Sequence, residues 1–236
     1  MSSTPKKYIV ANWKMNNPKE SIDCYFKSLI ASEISEVIIC PSFVFLKEAS
    51  TICREGAKIG AQQCSSFSQG AYTGQVSASM LAQVGVQYCL VGHSEQRQHN
   101  KSNDLLACVD NLNKENIVPI FCVGETKDEY DKGRSLEVIG EQMQGLNFEC
   151  DIIIAYEPIW SIGTGIIPSV ESVDTVASFI KSKNNFRPVL YGGSVNAGNA
   201  ASFSGVKNID GLLIGGASLS SSTLNEISNR YLKASN

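Results

Sequence analysis

Glu157 stands in the run AYEPIWSIGTG (155–165), directly after an apolar stretch, IIIAY (152–156). A lone glutamate at the start of a loop is ordinarily a surface carboxylate. The loop that follows has an unusual make-up. Pro158 and Pro168 stiffen its ends, Gly163 and Gly165 loosen its tip, and Trp160 and Ile162 make it apolar. A segment of that kind has something to cover. A carboxylate shielded from water is a stronger base, so the expected chemistry is proton abstraction under a closing loop.

Partners for such a base stand at other points along the chain. In CLVGHSEQR (89–97), His93 precedes Ser94-Glu95, which can open a short helix with its N–H groups facing the ring. A lone histidine is more often structural, but this setting disfavours imidazolium and leaves a neutral ring able to polarise or shuttle. His99 lacks the setting and reads as surface. In ANWKM (11–15), Asn12 and Lys14 are two apart, hence on one face of an extended strand. An amide donor and a cation on that face suit a polarised carbonyl, and a solvated strand end is an equal alternative. Trp13 points the other way, into core or interface. YGGSV (191–195) and LLIGGAS (212–218) are Gly-rich turns, and each alone is only a turn. Following the last two strands, together they match the place where barrels bind phosphate through backbone N–H groups. The absence of a Walker lysine motif and of G-x-G-x-x-G argues against a nucleotide site.

Positioning these residues requires a repeated unit. Strand-like runs recur at 8–12, 37–40, 59–62, 88–92, 118–123, 152–156, 189–193 and 211–216. Helical patterns lie between them at 18–31, 43–55, 102–116, 133–146, 171–183 and 222–233, with a weak one at 196–203. The strands are continuously apolar rather than alternating, as in parallel strands buried on both faces. About eight βα units suggest a single (β/α)8 barrel domain over residues 1–236. An open doubly wound sheet is the rival. Asn12, His93, Glu125, Glu157, Ser194 and Gly216 favour the barrel: they follow different strands, and a barrel gathers all strand ends into one mouth.

Bulk properties exclude several classes. The 236 residues are 43% hydrophobic and carry a net charge of −3, without a basic cluster of the kind nucleic-acid binding requires. No run nears the roughly 18 apolar residues of a membrane helix, and the N-terminus lacks a signal core, which points to the cytoplasm. The eight cysteines form no C-x-x-C, and the two histidines have no zinc spacing. Cys40, Cys89 and Cys122 read as buried thiols in strands.

Taken together, ANWKMN, GAYTG, VGHSE, CVGE, AYEPIW-x-IGTG, YGGSV and GLLIGGASL resemble the triosephosphate isomerase family in order and spacing, over essentially the whole chain. The resemblance implies interconversion of dihydroxyacetone phosphate and glyceraldehyde 3-phosphate through an enediolate. Glu157 would carry the proton between C1 and C2. His93 and Asn12 would stabilise the oxyanion, and Lys14, positioned by Glu95, would add positive potential. Phosphate would meet Gly163, Ser194, Gly215 and Gly216. The resemblance further implies no metal or cofactor, and a homodimer in which the loop around Gly70–Gln75 carries Thr73 to the neighbouring subunit's site.

Departures from the family pattern are local. Gln96 stands where the family has Arg, Gln75 where it has Glu, and Ser102 where it tends to an acid. Breaking one member of a buried ion pair costs about 3–5 kcal/mol, whereas neutralising the whole set is nearly neutral. Gln75 and Gln96 are therefore expected to hydrogen-bond across a neutral dimer contact. Ser161 replaces a usual Ala and Ile166 a usual Lys, both in the loop after Glu157. Three other readings stand beside the isomerase. A different phosphate-binding barrel enzyme would lack the His93–Glu157–Lys14 set. A glycosidase would pair carboxylates such as Glu125 and Glu157. A non-catalytic barrel would have lost site residues.

Overall fold

The computed structural model describes residues 6–30, 32–53, 56–97 and 102–233, with the backbone alone at 102 and 103. Eight strands appear in the expected places: β1 (Lys7–Asn12), β2 (Ser35–Cys40), β3 (Ala57–Ala61), β4 (Tyr88–Val91), β5 (Val118–Val123), β6 (Ile153–Tyr156), β7 (Val189–Tyr191) and β8 (Gly211–Ile214). All neighbours pair in parallel, and β8 closes on β1 through Tyr8 opposite Gly211 and Ala11 opposite Ile214. The sheet is thus a closed (β/α)8 barrel, not an open one.

The continuous apolar runs are explained by burial on both faces. Along β1, Val10 points into a barrel interior filled by Ile38, Leu90, Ile120, Ile153, Leu190 and Leu213. Ile9 and Ala11 point outward, against the surrounding helices. Period-2 alternation is still present, but both faces are apolar. None of the eight cysteines is in a disulfide; Cys40 and Cys122 are interior residues and Cys89 belongs to the outer layer. Burial pushes the Cys40 thiol well above its ordinary range.

Helices are α1 (Ile22–Ser28), α2 (Leu46–Ile52), α3 (Ala78–Gln83), α4 (Ser94–Arg97), α5 (Ser102–Lys114), α6 (Lys127–Asp131), α7 (Ser135–Gln142), α8 (Val170–Lys183) and α9 (Ser221–Lys233). Several differ from the sequence expectation. The helix expected over 18–31 starts only after Ser21, whose side chain caps the Cys24 N–H. That expected over 43–55 begins as a 3₁₀ turn, Phe43–Phe45, before α2. That expected over 133–146 is the shorter α7, beyond Gly133, which is left-handed at φ 68°, and an unexpected helix, α6, opened by a Thr126/Glu129 capping box, precedes it. The weak pattern at 196–203 is a 3₁₀ turn over Ala200–Phe203. The six-residue α3 gave too short a pattern to be expected. His99 lies outside the described residues, as does the Ser102 side chain.

The two barrel ends differ in chemistry. At the N-terminal end the polar groups neutralise one another. Lys6 and Tyr88 both bond to Glu36. Lys181 pairs with Asp210, which also accepts the Val189 N–H at 2.8 Å. Such pairing reads as stability, and the candidate functional groups stand at the other end. Among the described residues, no helix is long and apolar enough to cross a membrane.

Candidate active site

A cavity of about 300 Å³ opens at the C-terminal ends of the strands. Asn12, Lys14, His93, Glu157, Gly163, Ser194, Gly215 and Gly216 all line it. Residues up to 204 positions apart in sequence, from Asn12 to Gly216, thus face one volume, as barrel closure requires. Glu95 reaches it only indirectly, through Lys14.

Glu157 directly follows β6, and its N–H donates to Val123 O at 2.7 Å, which continues the β5–β6 ladder by one residue. The residue is 3% exposed. Oε1 lies 3.3 Å from His93 Nε2, and Oε2 is buried with no hydrogen-bond partner among the described residues. A buried carboxylate oxygen is almost always satisfied; Glu125 Oε2 is orphaned too, but of the two carboxylates only Glu157 lines the cavity. Two glycines make room for it. A Cβ at Gly192 would lie 2.7 Å from Glu157 Cγ, and one at Gly124 would lie 1.8 Å from the Glu157 carbonyl oxygen. The Cys122 thiol sits alongside; burial, then the Glu157 carboxylate, push it well up and keep it protonated.

His93 follows β4 and is 5% exposed. The first turn of α4 wraps it: the Glu95 N–H donates to His93 Nδ1 at 3.2 Å, while its own carbonyl accepts from Gln96 and Arg97 N–H. Nδ1 is therefore a lone pair in this arrangement, and the neutral ring carries its proton on Nε2, facing Glu157. The electrostatics differ in one respect from the sequence expectation. Burial disfavours the cation, but the Glu157 and Glu95 carboxylates outweigh it and hold the ring above its ordinary value. The helix N–H acts against a second proton on Nδ1, whereas the neighbouring carboxylate favours one.

Asn12 and Lys14 reach the cavity by a different route from the one expected. The strand ends at Asn12, and Lys14 adopts a left-handed backbone with φ 54°, so the two do not share one extended face. The turn is held by the Lys14 N–H donating to Asn12 Oδ1 at 3.0 Å and by Gln62 Nε2 donating to Lys14 O at 2.9 Å. With Oδ1 occupied, the Asn12 side chain offers its amide N–H groups. Lys14 Nζ is set by Glu95 Oε1 at 2.6 Å. A non-glycine residue held left-handed by surrounding bonds is a common mark of a functional site. Trp13 is fully buried in the core.

At the opposite wall, Gly215 and Gly216 form the turn after β8 that runs into a 3₁₀ segment, Gly216–Leu219. Ser194 follows β7. The lid arising from Glu157 rests on it: Ser194 Oγ donates to Ser161 O at 2.7 Å and accepts the Gly165 N–H at 3.3 Å. The lid tip takes left-handed turns at Gly163 and Gly165, φ 69° and 76°. Its root is anchored at Glu125, whose Oε1 accepts from Tyr156 Oη and Trp160 Nε1, both at 3.1 Å. Glu125 is fully buried and lines none of the cavity, so it cannot serve as the second carboxylate of a glycosidase. Among the described residues no cluster of His, Cys, Asp and Glu could hold a metal ion.

Sequence reasoning passed over Gly192 and Gly124, which admit Glu157, and Arg97, whose guanidinium donates to Cys122 O and lies 5.3 Å over the Phe121 ring. A glycine immediately after a strand, as in LYGG and CVGE, was the available signal.

Comparison with known proteins places the whole chain in one family. The family model described as triosephosphate isomerase matches residues 7–231. A triosephosphate isomerase of Francisella tularensis subsp. mediasiatica is 36% identical, covering 97% of this chain and 98% of its own. One of Albidiferax ferrireducens is 38% identical, covering 91% and 94%, and one of Ruegeria sp. is 37% identical, covering 91% and 93%. With the barrel, the lid and the gathered mouth residues already in place, the match over nearly the whole chain decides the matter: the chain belongs to the triosephosphate isomerase family and is an isomerase.

Proposed function

We propose that the protein interconverts dihydroxyacetone phosphate and D-glyceraldehyde 3-phosphate by proton transfer through an enediolate. The observation that carries this reading is the buried, unpartnered Oε2 of Glu157 in a cavity shared with His93, Asn12 and Lys14. Glu157 takes a proton from C1 of the ketose. The electron pair moves to the carbonyl oxygen, where the His93 Nε2–H, the Asn12 amide and the Lys14 charge meet it. His93 Nε2 gives its proton to that oxygen and takes the hydroxyl proton from the oxygen on C1, and return of the proton from Glu157 to C2 then gives the aldose. Glu95 holds Lys14 in place. The phosphoryl group is held at Gly163, Ser194, Gly215 and Gly216, and no metal or cofactor enters the scheme.

Residues 1–236 act as one domain, in a homodimer. Supporting the dimer, Met15 and Val44 are 95% and 81% exposed at the C-terminal ends of neighbouring strands, and Thr73 is exposed at the tip of the Gly70–Gln75 loop. Large apolar side chains left open to water favour a protein partner. Gln75 accepts from Ser65 within its own chain, which orients its amide for a neutral contact with the neighbour's Gln96. The proposed setting is the cytoplasm, in glycolysis and gluconeogenesis. The test is a coupled assay of triose phosphate interconversion with Glu157→Gln alongside. Loss of the base lowers turnover about 10²–10⁴-fold, and equal activity in the two proteins refutes the assignment.

A further inference from the structure

Ser161 is a lid residue, yet it is fully buried. Its hydroxyl uses every capacity it has. Oγ donates to Ile166 O at 2.6 Å, joining the two arms of the lid. It accepts the Ser194 N–H at 3.3 Å. It also lies 3.4 Å from Tyr191 Oη; because its own proton goes to Ile166, the Tyr191 hydroxyl is the donor there. The pocket for this oxygen is shaped by bare backbone, since a Cβ at Gly193 would lie 2.8 Å from Ser161 Oγ and 2.1 Å from Tyr191 Oη. The lid is also tied within itself. Thr164 Oγ1 donates to Trp160 O at 3.0 Å and accepts the Ile166 N–H at 3.2 Å, which braces the segment internally.

We propose that Ser161 is a positioning residue that latches the lid to the barrel by supplying, from within the chain, the oxygen acceptor for the Ser194 N–H. This rests on the reading above that places the substrate's phosphoryl group at Ser194. A phosphoryl oxygen would take the same N–H, so the hydroxyl and the anion are alternative partners for one donor. Every contact of the latch is internal, and lid seating therefore does not depend on an anion. An alanine could make none of these bonds. Among the described residues, four bonds join lid to barrel at this end: Ser194 N–H and Tyr191 O–H to Ser161 Oγ, Ser194 O–H to Ser161 O, and Gly165 N–H to Ser194 Oγ. Ser161→Ala removes the first two, shifting the lid toward the released state about tenfold.

The experiment is millisecond hydrogen exchange, read by mass spectrometry on lid peptides of the intact protein, with and without saturating inorganic phosphate. In Ser161→Ala, lid amides without phosphate exchange about tenfold faster than in the wild type, and phosphate slows the variant more than the wild type. Tyr191→Phe removes one of the two bonds to Oγ and gives a smaller acceleration of the same amides. Thr164→Ala loosens the lid internally but leaves its response to phosphate as in the wild type. Equal exchange in the wild type and Ser161→Ala overturns the latch. So does equal slowing of both by phosphate. If phosphate protects neither protein, the phosphate-site reading fails, and the phosphate-free rates alone decide on the latch.

Discussion

Gly192→Ala tests whether the geometry around Glu157 sets the rate. The added Cβ would stand 2.7 Å from Glu157 Cγ, 3.3 Å from its Oε1 and 3.4 Å from Leu213 Cβ. Carbon atoms rest at about 3.5–4.0 Å, so the glutamate must retreat by about 1 Å. Gly192 is not among the residues with positive φ, so the backbone accepts alanine and the effect is purely steric. A displacement of that size in a reacting group costs about 10²-fold in rate. Overpacking costs about 1–3 kcal/mol of stability, and each kcal/mol lowers Tm by about 2–4 °C in a chain of this length. The variant should thus fold, melt several degrees lower, and lose far more turnover than stability. Steady-state kinetics with calorimetric melting measures both. Gly205→Ala is the control, because a Cβ there meets nothing within 4 Å. A kcat for Gly192→Ala within about threefold of wild type would refute the reasoning, since the carboxylate would then tolerate displacement.

The charge pair at the site gives a titration. Glu157 and Glu95 hold His93 above its ordinary value of 6.5 against burial, so Glu157→Gln should lower the His93 pKa, as followed by NMR. With the folded value raised, the pair's contribution to stability is full below the unfolded pKa and is lost as pH rises through the folded one. An unchanged or higher value in the variant would contradict this. Ile166 is 54% exposed on the lid and contributes only backbone to its bonds. Ile166→Lys is therefore expected to change turnover less than Glu157→Asp, which withdraws the base by one methylene; steady-state kinetics of both decides, and the reverse order defeats the argument. At the proposed dimer contact, Gln75→Glu with Gln96→Arg should dissociate less readily than either single variant, because each single change leaves an unpaired charge. Sedimentation at graded concentrations checks it, and a double variant that dissociates as readily as the worse single one argues against a Gln75–Gln96 contact.

Local order along the chain was enough to read the barrel. Eight continuously apolar runs, most followed by a helix-like pattern, suit parallel strands covered on both sides, and the polar residues at the ends of different runs favoured a barrel over an open sheet. Glu157 and His93 were legible for the same reason: each is a polar residue directly after such a run, where a closed barrel has its mouth. The gathered Gly-rich turns were legible as a pair because both follow strands. Short helices such as α3 and α6 were not, since one or two turns give no periodicity to detect.

What no stretch of residues announces is contact between distant ones. Glu125 looked like a second mouth carboxylate until Tyr156 and Trp160 closed over it. Asn12 and Lys14 looked like one face of a strand, but Gln62, 48 residues beyond Lys14, helps hold a left-handed turn between them. Ser161 looked like a minor change in a mobile loop; packing buried its hydroxyl against Ser194 and Tyr191. Gly192 looked like half of a turn and is the space into which Glu157 fits. Type and spacing identify an element because they act through local backbone geometry. The environment of a side chain is set by whatever other elements press against it, and in a barrel those come from every part of the chain.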